Sequence, residues 1–309
     1  MYLLSPNADK NLDLVPARKL ARLMTRTYSK SFYLATKLLP QRLQGDVHAI
    51  YAFCRYTDNI VDAPRQRARD LLSRELGSWR EELFTAYGTG ESLHPVMGAF
   101  VDVALRNKIP VDLPAELIAG VQMDLEYDRY STFAELKTFT YRVASVVGLM
   151  MTRVLGYKDS RAFDHAEQMG IAMQLANILR DVEEDWRLRR KIYLPKDELE
   201  QFGVTEGHIA RSALTDNMRD LLAFNVERAH SYFEEASRGI PMLNRDGQFA
   251  IIAAARVYRG ILYEIERNRY DVFSNRPVVS GYRKVSEILK SFVQHKVLSP
   301  ANVGYTPET

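Results

Sequence analysis

Cysteine is almost missing from this 309-residue chain, with Cys54 the single example. That excludes a disulfide framework and a cysteine-based zinc site, and Cys54 is expected to be a small buried apolar residue. The six histidines are scattered without metal-ligand spacing. Charge of one sign is also lacking. Lys and Arg total 42 against 39 Asp and Glu, a net of +3, which is too little for a dedicated nucleic-acid binder. With 46% hydrophobic residues the chain is not intrinsically disordered. The longest apolar run, Val143 to Met151, is broken by Ser145 and Gly148 and is too short to span a bilayer. The start lacks the basic and apolar regions of an export signal, so the expected location is the cytoplasm, with peripheral membrane contact left open. There is no Gly-x-x-x-x-Gly-Lys loop and no Gly-x-Gly-x-x-Gly fingerprint, so nothing suggests a nucleotide cradle.

Proline is sparse where helices would need it to be. None falls between Pro114 and Pro195, and none between Pro195 and Pro241. Period-2 alternation with hairpin turns is nearly absent. Helices are expected at about 15–38, 41–62, 65–88, 94–107, 113–129, 132–155, 160–186, 206–238, 247–270 and 280–294. Thr132-x-x-Glu135 reads as a capping box, Pro114 suits a first helical turn, and Gly156 and Gly203 fit helix stops. With no repeat and no flexible linker, the expectation is one all-α domain over residues 1–309.

What the chain does have is paired aspartates. Its 19 aspartates should give about one pair four residues apart by chance, and on a helix such pairs repel. Five occur: Asp9/Asp13, Asp58/Asp62, Asp124/Asp128, Asp181/Asp185 and Asp216/Asp220. The first and last read as solvated faces. Asp58/Asp62 and Asp181/Asp185 instead end apolar stretches, where like charges are costly unless a cation offsets them. The available ligands are all oxygens, namely these four carboxylates and the Asn177 amide. That donor set suits Mg²⁺ or Mn²⁺, and Mg²⁺ completes its shell with water and substrate phosphate. Asn177, Asp181 and Asp185 step by four, which predicts one helical stripe. Arg55, Arg180 and Lys30, the last flanked by Ser29 and Ser31, are basic groups near enough in sequence to take the phosphate.

These residues resemble the squalene/phytoene synthase family. Ser29-Lys-Ser-Phe32 looks like its N-terminal motif and Tyr51-Ala-Phe-Cys-Arg-Tyr-Thr-Asp-Asn-Ile-Val-Asp62 like its first aspartate motif. Asp124-Leu, Arg129-Tyr130 and Tyr141-Arg-Val-Ala-Ser-Val-Val-Gly148 resemble the central signature. Gln174-Leu-Ala-Asn-Ile-Leu-Arg-Asp-Val-Glu-Glu-Asp185, followed by Ile192-Tyr-Leu-Pro195, resembles the second aspartate motif and its tail. The likeness runs from about residue 20 to 290, with short tails on either side.

The resemblance implies an all-α isoprenoid-synthase fold around a central cavity, in which two prenyl diphosphates join head to head through a cyclopropylcarbinyl diphosphate. It implies substrate contacts from Ser29, Lys30, Ser31, Phe32, Tyr51, Arg55, Gln174, Arg180 and Arg276. It implies metal ligation by Asp58, Asp62, Asn177, Asp181 and Asp185, with those aspartates and Tyr258 doing the chemistry. Phe32, Tyr51, Phe53 and Tyr258 would face the cations, and the small run Val143–Gly148 would either pass a polyprenyl tail or pack helices closely. Three departures stand out: Asn59 stands where many members have a second aspartate, Phe139 occupies a place where the family often has tyrosine, and the Trp186–Lys191 loop, which in the family contacts diphosphate, is one residue longer than usual and has Lys191 where Arg is common. The leading expectation is synthesis of 15-cis-phytoene from two geranylgeranyl diphosphates, without NADPH. The rival is a farnesyl diphosphate-using enzyme giving presqualene diphosphate, dehydrosqualene or squalene. A non-catalytic helical assembly protein should have lost the aspartates. A chain-elongating prenyltransferase or terpene cyclase should lack the long second motif.

Overall fold

The computed structural model describes residues 14–62, 67–277 and 279. Fourteen α-helices occur among them. The first six are α1 (Leu14–Tyr28), α2 (Lys30–Thr36), α3 (Gln41–Asp62), α4 (Arg69–Thr89), α5 (Pro95–Arg106) and α6 (Asp112–Glu126). Then come α7 (Phe133–Thr140), a π-helical segment (Tyr141–Ser145), α8 (Val146–Leu155), α9 (Ala162–Arg180) and α10 (Val182–Arg189). The series closes with α11 (Lys196–Gln201), α12 (Glu206–Ala210), α13 (Asp216–Ser237) and α14 (Arg245–Arg267). No strand occurs among the described residues; the extended backbone there makes only isolated bridges such as Arg129 to Ile192. The helix expected at 280–294 and the pair Asp9/Asp13 lie outside the described residues.

Several expected helices are broken, those at Ser29 and Thr215 by a side-chain cap. The 15–38 helix divides at Ser29, whose backbone leaves the helical region (φ −144°) while its Oγ accepts from Phe32 N at 3.3 Å. Serine is a favoured N-cap, and it starts α2 anew. The 160–186 helix divides at Asp181 (φ −104°, ψ 11°), so Asn177, Asp181 and Asp185 straddle two helices rather than one stripe. The 206–238 helix divides into α12 and α13, and Thr215 caps the second by accepting from Met218 N at 3.2 Å. At α7 the expected capping box is half formed. Thr132 Oγ1 accepts from Glu135 N at 3.3 Å, but Glu135 Oε2 accepts from Ser131 N rather than from the cap residue. Gly156 and Gly203 end helices as expected, at φ 77° and 64°.

The helices bury two apolar clusters. The first joins α1, α3, α4, α5, α6 and α8 around Ile50, Phe53, Phe100 and Met150. The second joins α7, α9, α13 and α14 with the chain around Ile192–Leu194, centred on Ile171, Leu222, Phe233 and Leu262. Phe53, expected to face a cation, is instead fully buried and stacked on Phe100 at 4.1 Å. Partly exposed apolar side chains remain on both clusters: Phe32, Tyr141, Val147 and Met151 on the first, Val143, Met173 and Tyr258 on the second. They are the groups able to wall a space between the clusters. Cys54 likewise lies partly exposed on the first cluster rather than fully buried.

The run Val143–Gly148 packs helices closely, one of the two purposes foreseen for it. Val143, Ala144 and Val147 stay partly exposed, while Ser145 and Val146 are buried. A Cβ on Gly148 would lie 2.8 Å from the Ala166 carbonyl oxygen, and a Cβ on Gly170 would lie 2.4 Å from Ser145 Cα. Helix α9 therefore runs against the π segment with no room for a side chain at Gly170. Gly170→Ala is expected to lower stability by about 1–3 kcal/mol, the range for overpacking a tight interior. Gly77→Ala, with nothing within 4 Å of its Cβ position, should raise stability by roughly 0.5–1 kcal/mol. Chemical denaturation of both variants, with opposite shifts in midpoint, checks the pair.

Candidate active site

Helix α3 carries the first aspartate pair in its final turns. Leu43, Val47, Ile50 and Phe53 bury one face and fix the helix; Asp58, half-buried, and Asp62, exposed, follow. A helix C-terminus disfavours anions, so nothing in the backbone offsets them. Arg55 Nη2 lies 3.5 Å from Asp62 Oδ2, and the guanidinium sits 4.8 Å above the Tyr28 ring. Asp58 makes no ion pair among the described residues. Burial, reinforced by the charge of Asp62, pushes its carboxyl up to about 7 against the weaker pull of Arg55.

Helices α9 and α10 carry the second pair. Gln174 and Asn177 lie in the last two turns of α9, with Asn177 Nδ2 donating to Gln174 Oε1 at 3.3 Å. Arg180 donates from Nε and Nη2 to the two oxygens of Asp181 at 2.8 and 2.5 Å. Arg276 donates from Nε to Asp181 Oδ1 at 2.7 Å and lies 3.0 Å from Glu184 Oε2. Burial alone would raise Asp181; hydrogen bonds from Arg180 and Arg276 outweigh it and hold the carboxyl below its usual range. Asp185 has no such partner among the described residues. Burial, then the charge of Asp181, pushes it up to about 7.

Between the pairs sits Asp124, buried on α6. Lys191 Nζ and Tyr193 Oη donate to its Oδ1 at 2.8 and 2.6 Å, and Arg189 donates to Oδ2. Burial would raise Asp124, but Lys191 and Arg189 prevail and keep it ionised. The charges of Asp124 and Arg189 reach both Asp58 and Asp185, so this cluster links the two motifs. Asp124 was one of the five paired aspartates, and Lys191 and Tyr193 stood in the tail of the second motif. Their contact was not read from sequence, because it spans 67 residues between Asp124 and Lys191. The partner aspartate Asp128 turns away and accepts from Arg69 Nη2 at 3.1 Å, and Asp216 and Asp220 are exposed as expected.

The third side comes from α2, the middle of α3, and α14. The Phe32 ring stacks on Tyr51 with centroids 5.0 Å apart and planes at 23°. The Tyr51 hydroxyl meets the Ser29 side chain and feels Arg55, Tyr258 and Asp58. Tyr258 lies within the field of Arg180, and burial raises both phenols. Ser29, Phe32, Tyr51, Arg55, Asp58, Tyr258, Arg180, Asp181 and Arg276 thus form one linked neighbourhood. Lys30 and Ser31 open α2 beside it, but their side chains are outside the described set. Phe139 is buried against Tyr130 and Tyr193, with ring centroids 5.4 Å from each.

Among the described residues no three His, Cys, Asp or Glu side chains converge to hold a metal by themselves. Asp58 and Asp185 are nevertheless carboxylates lacking a protein cation, and the remaining donors are oxygens. That set fits a hard ion that shares its shell with a second, non-protein ligand.

Known proteins share this sequence pattern and this fold. The sequence model described as squalene/phytoene synthase matches residues 25–283. The 15-cis-phytoene synthase of Synechococcus elongatus is 38% identical over 289 residues, covering 90% of this chain and 92% of that protein. The phytoene synthase of Arthrospira platensis is 39% identical over 280 residues, covering 86% and 89%. A solved dehydrosqualene synthase in complex with ligand superposes with a TM-score of 0.84 at 29% identity, covering 92% of this chain and 98% of that one. The fold is therefore the helical isoprenoid-synthase fold. The chain belongs to the squalene/phytoene synthase family and is a prenyltransferase.

The uncompensated carboxylates give a pH test. An unfolded aspartate titrates near about 4, so the native chain holds extra protons on Asp58 and Asp185 between about pH 4 and 7. The stability they confer is present below the unfolded value and is lost as pH rises through about 7. In metal-free buffer, Asp58→Asn should match the parent near pH 4 and exceed its melting temperature at pH 8. Asp124→Asn should instead lose about 3–5 kcal/mol at pH 8, because the buried Lys191 and the half-buried Arg189 lose their counter-ion. Thermal melts across pH distinguish the two carboxylates.

Proposed function

We propose that the protein condenses two geranylgeranyl diphosphates head to head, through a cyclopropylcarbinyl diphosphate, to 15-cis-phytoene, with release of diphosphate. The observation that carries this reading is the two aspartate motifs, both within the field of Asp124 and Arg189, in which Asp58 and Asp185 form no ion pair among the described residues. The phytoene synthases that the chain resembles at 38–39% identity support the C20 substrate. Thr36, whose small size would leave room for a longer tail if it lined the tunnel, is instead buried against α3 with its Oγ1 3.0 Å from His48 Nε2 and lends this reading no support.

Asp58, Asp62, Asn177, Asp181 and Asp185 would hold Mg²⁺ or Mn²⁺, and when bound the ion neutralises the departing diphosphate. The chain's own groups do the rest. Arg180 and Arg276 fix Asp181, and Arg55 fixes Asp62, so the carboxylates are held before substrate arrives. Ser29 shapes the turn that opens α2, and Lys30 and Ser31 of the same motif would contact the phosphates. Gln174 orients Asn177 through its amide. Phe32, Tyr51 and Tyr258 offer ring faces to the allylic and cyclopropylcarbinyl cations and no strong nucleophile, and their burial keeps water out. The tyrosine hydroxyls stay protonated because burial raises them. No nicotinamide is needed for a reaction that ends in proton loss. No helix among the described residues is long and apolar enough to cross a membrane, and release of so apolar a product at a membrane surface fits the chemistry.

Purified protein supplied with geranylgeranyl diphosphate and Mg²⁺, without NADPH, should yield a C40 hydrocarbon; farnesyl diphosphate should be a poor substrate. A C30 product with no C40 product would sink the C20 reading. Asp58→Ala and Asp181→Ala should each cut turnover by about 10²–10³-fold or more, the scale for losing one electrostatic stabiliser, with the helical circular-dichroism spectrum retained. Unchanged turnover would point to a non-catalytic assembly role.

A further inference from the structure

Basic residues are unevenly placed along the chain. Between Leu14 and Gly45 there are seven lysines and arginines and no aspartate or glutamate, although the whole chain nets only +3. Two of the seven find carboxylates on other elements: Arg18 Nη2 lies 2.7 Å from Asp102 Oδ2, and Arg42 pairs with Asp246. Lys19, Arg22, Arg26 and Lys37 are exposed and form no ion pair among the described residues. An ordinary solvated helix face mixes both signs; this one does not.

The same surface carries bare apolar side chains. Helix α1 buries Ala17, Ala21 and Thr25, which step by four, against α3 and α5. That turns Lys19, Leu23 and Arg26 outward, and Leu23 is 58% exposed. On α2, Thr36 is buried and Phe32 turns to Tyr51, which leaves Leu34 on the far side, 59% exposed. Tyr33 joins the two helices. Its Oη accepts from Arg22 Nε and Nη2 at 3.3 and 3.2 Å, and Lys37 Nζ lies 5.2 Å from its ring centroid. Tyr28, exposed at the end of α1, lies beneath the Arg55 guanidinium that pairs with Asp62. The surface therefore runs up to the edge of the active site.

We propose that the outer face of α1 and α2 docks on an anionic lipid bilayer, with Leu23 and Leu34 entering the boundary between headgroups and acyl chains and the cations around them meeting lipid phosphates. Charge complementarity selects this occupant. Cations without acids favour an anionic surface, and leucines set among them favour one with an apolar interior. A nucleic acid would use the charge and leave the leucines in water. The docking stands on the surface alone; its purpose rests on the prenyl-diphosphate reading of the preceding section. A C20 tail partitions into a bilayer. A site edge held at the bilayer surface takes up such a substrate and returns a C40 hydrocarbon without passing either through water.

Co-sedimentation with vesicles tests the docking. Parent protein should bind phosphatidylcholine vesicles that contain phosphatidylglycerol, bind pure phosphatidylcholine far more weakly, and lose the anionic binding as salt rises. The triple variant Lys19→Gln/Arg26→Gln/Lys37→Gln should bind the anionic vesicles about 100-fold more weakly, at roughly 5-fold for each cation. The double variant Leu23→Ser/Leu34→Ser should bind them about 10-fold more weakly. Lys158→Gln/Lys196→Gln/Arg211→Gln, which removes exposed cations from other elements, should match the parent. In detergent micelles every variant should turn over prenyl diphosphate like the parent, whereas substrate supplied in anionic vesicles should be used more slowly by the first two. Parent binding that ignores lipid charge or salt overturns the proposal, and so does parent-like vesicle binding by the triple variant. Loss in the triple variant without loss in the double one assigns the face to a soluble polyanion such as duplex DNA and rejects the bilayer. In each of these cases turnover in micelles leaves the prenyl-transfer reading standing; vesicle docking without turnover overturns that reading and keeps the surface. The salt titration uses the parent alone, so it decides the matter should a variant fail to fold.

Discussion

Carboxylates are crowded into one seam of the molecule, and their charge is matched unevenly. Asp181 is held by two arginines and Asp124 by a lysine and an arginine, while Asp58 and Asp185 have no such partner among the described residues. A buried carboxylate without a cation is a cost to the fold. It is tolerable because the helices that bear it are secured elsewhere: α3 by the first apolar cluster, α9 by the second. The site is thus an electrostatic deficit set between two well-packed bodies of side chains. A hard cation and a polyanion entering together meet that deficit without leaving an excess of either sign.

The packing decides where the deficit lies. Gly170 lets α9 approach the π segment, so the second motif is carried to a fixed depth beside α8. The Asp124 cluster then ties the turn after α10 back to α6, and the chain at Ile192 bridges to Arg129. Aromatic stacking continues this tie, since Tyr193 lies against both Tyr130 and Phe139. With phenylalanine at 139, the hydroxyls at this corner come from Tyr193 and Tyr130. Tyr193 spends its hydroxyl on Asp124, while the Tyr130 hydroxyl is buried with no hydrogen-bond partner among the described residues.

Much of this was legible in the sequence because the signals were local. Asp58/Asp62 and Asp181/Asp185 could be read as ligands from four-residue spacing on apolar helices, and the N-terminal motif from a few adjacent residues. The all-α architecture followed from sparse proline and helical periodicity. What periodicity could not show were the interruptions at Ser29, where a side-chain cap competes with the helix, and at Asp181, where the backbone leaves the helical region. It also placed Phe53 with the cation-facing aromatics, since a buried aromatic and a cavity-lining one share the same spacing. The contacts of Arg189 and Lys191 with Asp124 were hidden for another reason: nothing in a run of basic residues on a polar turn shows the distant buried carboxylate beneath it.

The π segment at Tyr141–Ser145 sets the phase of everything that follows it. In an unbroken α-helix Val143 and Val147 would share a face, yet Val143 packs on the second cluster and Val147 on the first. The extra residue in the π turn supplies the offset, and a π turn is readily viewed as an α-helix with one residue inserted. Removing one residue there would leave a regular helix of nearly the same length but rotate α8 by about 100° against α7. The two apolar walls would lose their shared lining through an error of angle alone, with every side chain still present. Chain length through this stretch is therefore as much a part of the catalytic design as any ligand.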